Sequence, residues 1–174
     1  YHIVPDIGLR TSTELDPPQP LDRVLGWGIV LADGLAALHR HGVAFREITS
    51  EAILVGEADA RWMCCWPVIL INGEREDDVD RAFASDVRGL GRWMLLQATG
   101  NTNLGSESSL PESLSGLLTD VLTAPYPMSA QQLAEQLDQI RRDSVAQRDA
   151  RLCVGAASDT GRMRDLNEDS LWIA

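Results

Sequence analysis

Hydrophobic and polar positions change their spacing several times along the chain, and each change predicts an element. Leu21, Val24, Leu25, Leu31, Leu35 and Leu38 recur at helical intervals, which predicts an amphipathic helix with one apolar face. The preceding cluster, Asp16-Pro17-Pro18-Gln19-Pro20, cannot continue regular structure, and a proline suits the first turn of the helix that follows. His39 and His41 fall at its C-terminal end as cap residues that complement the helix dipole, and Gly42 is a natural stop. No third ligand at a suitable spacing turns the two histidines into a metal site. Residues 62–71 form an apolar run of strand length, and the acidic stretch 74–80 reads as a solvated loop. Residues 84–96 open with polar cap candidates and continue as a mostly apolar helix. Leu114, Leu117, Leu118, Val121 and Leu122 predict another helix after Pro111, and Ser129 with Gln132 makes a capping box ahead of Leu133, Leu137 and Ile140. Residues 1–4 read as a strand, 141–151 as a polar helix tail or linker, and 152–157 as a strand of small residues.

Composition narrows the function classes. With 44% hydrophobic and 24% charged residues in 174, the chain has the make-up of an ordered globular protein. A formal net charge of -11 leaves no basic stripe for nucleic acid or an anionic membrane. All 15 of the Lys+Arg residues are arginine, so no lysine is present to act as nucleophile, Schiff base or phosphate ligand. Cys64 and Cys65 are adjacent and Cys153 is remote, which gives neither a disulfide framework nor a Cys/His zinc pattern and fits a cytoplasmic location. No apolar run reaches the length of a membrane span, Tyr1 opens no signal-like pattern, and the ends read as cut from a longer chain. Asp77, Asp78 and Asp80 lack the ligand spacing and turn glycine of a calcium loop.

The segment 42–55, Gly-Val-Ala-Phe-Arg-Glu-Ile-Thr-Ser-Glu-Ala-Ile-Leu-Val, lies directly after the first helix. It resembles the catalytic-loop region of the protein kinase family, where a helix is followed by H-R-D-L-K-P-E-N-I-L. The resemblance covers about the first four-fifths of the chain and implies a hinge and helical large lobe without the small lobe. It also implies that the chemistry is degraded. Phe45 stands for the family's His, Arg46 is kept, and Glu47 replaces the catalytic Asp, so the carboxylate sits one methylene further out. Thr49 replaces the catalytic-loop lysine and Ala52 the magnesium-binding Asn, while Cys65 falls where the metal-binding Asp of D-F-G belongs. Magnesium prefers oxygen ligands, so these losses also leave ATP without its metal. Pro67 takes the place of the D-F-G glycine, no A-P-E match appears before Ser85, and Tyr126-Pro127 stands where the family carries the Arg that pairs with the missing Glu. By the same resemblance Asp86 is the buried carboxylate of the central large-lobe helix that bonds the loop backbone.

A second motif lies near the C-terminus. Residues 157–170, Ala-Ser-Asp-Thr-Gly-Arg-Met-Arg-Asp-Leu-Asn-Glu-Asp-Ser, resemble the opening S-D-x-G-x-x-R-x-x-N-E-D-S motif of bacterial type 2C metal-dependent protein phosphatases. The resemblance implies that Arg164 binds substrate phosphate, Glu168 helps hold magnesium or manganese, and Asp169 supports the metal-bound water cluster. The chain stops before that family's D-G-x-G-G and later aspartates, so this metal site is incomplete here.

Together these readings give a mainly α chain, α+β overall. It comprises a degenerate kinase-like large lobe at 1–143, a linker at 144–151 and the start of a phosphatase β-sandwich at 152–174. The expected function is a kinase-like regulatory module joined to a serine/threonine phosphatase that acts on a phosphorylated protein, with a possible protein partner on the lobe. The alternatives are a purely non-catalytic interaction module with an inactive phosphatase remnant, and an atypical active kinase that uses Glu47.

Overall fold

The first helix, α1, spans Leu21–Arg40 and begins directly after Pro20, whose carbonyl accepts the Val24 N–H at 3.1 Å. The computed structural model describes residues 9–57, 59–63, 69–70 and 75–159. Val24, Leu25, Trp27, Leu31 and Leu35 make α1's buried face, as its apolar spacing predicts. It ends as the His41 and Gly42 N–H groups turn back to the carbonyls of Leu38 and His39, with Gly42 at φ 69°.

The longest helix of the core, α2, spans Glu76–Thr99. It starts earlier than the sequence suggests. The acidic segment expected as a loop supplies Glu76, Asp77 and Asp78 to the first turn, where negative charge is favourable against the exposed N–H groups. Ser85 and Asp86 therefore lie inside the helix rather than at its cap. Gly100, at φ 77°, closes it with a bond from its N–H to the Leu96 carbonyl.

α1 and α2 pack closely. A Cβ on Gly28 would come within 2.5 Å of Met94 Cε, and one on Gly91 within 2.7 Å of Val121 Cγ1. The second contact seats α3, Glu112–Thr123, against α2. α4 spans Ala130–Asp159, and its entry carries the expected capping box: the Ser129 N–H donates to Gln132 Oε1 at 2.9 Å and the Gln132 N–H to Ser129 Oγ at 3.2 Å. Leu114, Leu118, Leu133 and Leu137 join Leu25, Leu31, Leu35, Leu90 and Met94 in one continuous buried core.

Five short strands complete the described architecture. β1 (Arg10–Thr11), β3 (Ile53–Val55) and β4 (Ala60–Trp62) form an antiparallel sheet with Arg10 opposite Val55 and Ile53 opposite Trp62. β2 (Val43–Ala44) pairs antiparallel with β5 (Ile69–Leu70). The single strand expected at 62–71 is thus divided between β4 and β5, which belong to different sheets. The strand expected at 1–4 lies outside the described residues.

The chain is mainly helical with small antiparallel sheets. It divides into two compact units, Tyr1–Arg141 and Arg142–Ala174. In the second, the backbone from 142 to 159 is helical, which agrees with the helix-tail reading of 141–151 and corrects the strand expected at 152–157, which is helix. Residues 141–153 contain no proline or glycine to stop a helix already nucleated at the capping box, and among the described residues no strand edge pairs with 152–157. No helix of the described residues is long and apolar enough to cross a membrane.

Candidate functional site

The loop between β2 and β3, residues 45–52, carries the positions that the sequence marks as chemical. Its first residue, Phe45, is buried, 4.8 Å from the Trp62 ring between centroids. The Phe45 N–H donates to Asp86 Oδ2 at 2.9 Å. Asp86 is fully buried on α2, and the same oxygen accepts a 3.0 Å bond from His39 Nε2. The His39 ring lies against Phe83, with centroids 4.0 Å apart and planes at 22°. The histidine expected as a cap residue is thus a mostly buried link from α1 through Asp86 to the loop.

The next residues are held by backbone contacts. Arg46 is exposed and takes φ 63°, a left-handed conformation uncommon for a residue with a side chain. Its carbonyl accepts a bond from Ser85 Oγ at 2.8 Å. Further along, the Ser50 carbonyl accepts from Ser12 Oγ at 2.6 Å, and Ser12 Oγ in turn accepts from Trp93 Nε1 at 2.9 Å. Trp62 Nε1 donates to the Leu31 carbonyl at 3.1 Å and Trp27 Nε1 to the Gly56 carbonyl at 3.0 Å. Indole N–H groups thus tie the strands and the loop to the helical core, from α1 and α2 in Trp27 and Trp93 and from β4 in Trp62, each with an apolar body and a satisfied donor. Gly89 lets α2 approach the loop: a Cβ there would come within 2.9 Å of Ile48 Cβ.

The chemical inventory is thin where phosphoryl transfer would need it. Glu47 is exposed on the loop. Ala52 is fully buried, its N–H bonded to the Thr49 carbonyl and its carbonyl to the Met63 N–H. A buried methyl offers no metal ligand, so this position does not fit the magnesium that a kinase binds there. Thr49 Oγ1 is buried without a hydrogen-bond partner, as is Asp86 Oδ1. Among the described residues no group of three His, Cys, Asp or Glu side chains is placed to hold a metal ion. Cys65, Arg164, Glu168 and Asp169 lie outside the described residues.

The structure brings Phe45, Arg46, Glu47, Thr49 and Ala52 together on one loop and sets Asp86 beneath its start. Sequence reasoning missed the supporting residues Ser12, His39, Ser85 and Trp93. Their signal was weak, because a serine within a helix or a histidine at its end has many ordinary roles.

No family model matches the chain, and no curated protein matches it.

Proposed function

We propose that residues 9–141 are a kinase-like large lobe that has lost phosphoryl transfer and serves as a regulatory or interaction module of a cytoplasmic signalling protein. The observation that supports this most is the pairing of a retained frame with an absent ligand. Asp86, buried on the long central helix, accepts the N–H at the start of the loop, while Ala52 places a sealed methyl where the resemblance calls for a magnesium ligand. The β2–β5 pairing and the adjoining β3–β4 hairpin around this loop also agree with such a lobe.

The module is joined, in this reading, to a type 2C serine/threonine phosphatase that begins with the motif at 157–170. That half rests on the motif alone. Glu168 and Asp169 would help hold magnesium or manganese, which supplies an activated water when bound. Arg164 would bind the phosphate of a phosphoprotein through its forked guanidinium.

The test uses the full-length protein. Manganese-dependent hydrolysis of a phosphoserine or phosphothreonine peptide is expected, and it is expected to be lost in Asp169→Ala. An intact protein without this activity, or an Asp169→Ala variant that keeps it, overturns the phosphatase half. Transfer of phosphate from ATP to protein that disappears in Glu47→Gln overturns the non-catalytic reading of the lobe.

A further inference from the structure

We draw no further inference here: the strongest candidate, the apolar groove that Phe83, Val87 and Met128 line between the end of α1, the middle of α2 and the turn from α3 to α4, carries none because nothing in the structure shows what covers it.

Discussion

Removal of the Asp86 carboxylate is the perturbation most directly set by the geometry of the loop. In Asp86→Ala the Phe45 N–H and His39 Nε2 lose a shared acceptor that lies at 2.9 and 3.0 Å. Both are enclosed, with Phe45 buried and the His39 side chain only 10% exposed. An orphaned buried donor costs about 1–3 kcal/mol, and Asp86→Ala leaves the Phe45 N–H and His39 Nε2 both without their acceptor. We therefore expect Asp86→Ala to lower stability by about 3–5 kcal/mol, or roughly 6–20 °C in Tm for a domain of this size. Asp86→Asn keeps an oxygen for Phe45 but gives up the charge assistance, for an expected loss of about 1–2 kcal/mol. Urea unfolding followed by tryptophan fluorescence measures both, with an unchanged m-value as the sign that only stability has moved. A double-mutant cycle with His39→Ala is expected to return a coupling of about 0.5–3 kcal/mol. An Asp86→Ala protein within about 1 kcal/mol of wild type would refute the argument, because it would mean that the carboxylate's burial cost cancels its bonds.

Two further predictions separate packing from propensity. Gly89→Ala adds a Cβ at 2.9 Å from Ile48 Cβ, an atom fixed directly to the loop backbone, so overpacking of about 1–3 kcal/mol outweighs a helix-propensity gain of about 1 kcal/mol. Gly116→Ala, in α3 with nothing within 4 Å of the new Cβ, is expected to raise stability by about 0.5–1 kcal/mol in the same unfolding assay; equal effects at the two sites would dismiss the close approach at Gly89. Ser129→Ala removes the acceptor of the Gln132 N–H and is expected to cost about 1 kcal/mol, with faster hydrogen exchange confined to the first turn of α4.

Much of the helical core was legible because helical periodicity and local punctuation agree. Pro20 and Gly42 bracket α1, Pro111 opens α3 and Ser129 with Gln132 opens α4. The failures came where a local signal had two readings. Acidic residues at 76–78 are equally suited to a loop and to the first turn of a helix, and the available N–H groups of α2 decided for the helix. The apolar run after Ala60 was legible as strand but not as two strands in two sheets, because pairing partners lie far away in sequence: Trp62 faces Ile53, and Leu70 faces Val43. The small residues at 152–157 carry no partner information at all, and the helix entering from α4 continues through them.

The loop was legible in its chemical positions and illegible in its supports, and that difference has a physical origin. Phe45, Thr49 and Ala52 stand at positions that the resembled motif specifies, so these positions are visible in sequence. The supports come from distant places: Ser12 before α1, His39 at its end, and Ser85, Asp86 and Trp93 on α2. Only folding brings them to one loop. Two of the buried polar atoms that lack a partner, Thr49 Oγ1 and Asp86 Oδ1, belong to this loop and to the residue that holds it. A loop needed only as a connection could be held by apolar contacts, which often stabilise as well as a buried charge does. Unsatisfied buried groups gathered at one place instead mark a segment whose conformation is specified at a cost in stability. Arg46 at φ 63° lies between the Phe45 and Ser50 anchors, which places the local backbone strain in the same segment. A frame of this cost favours a loop that presents a defined surface.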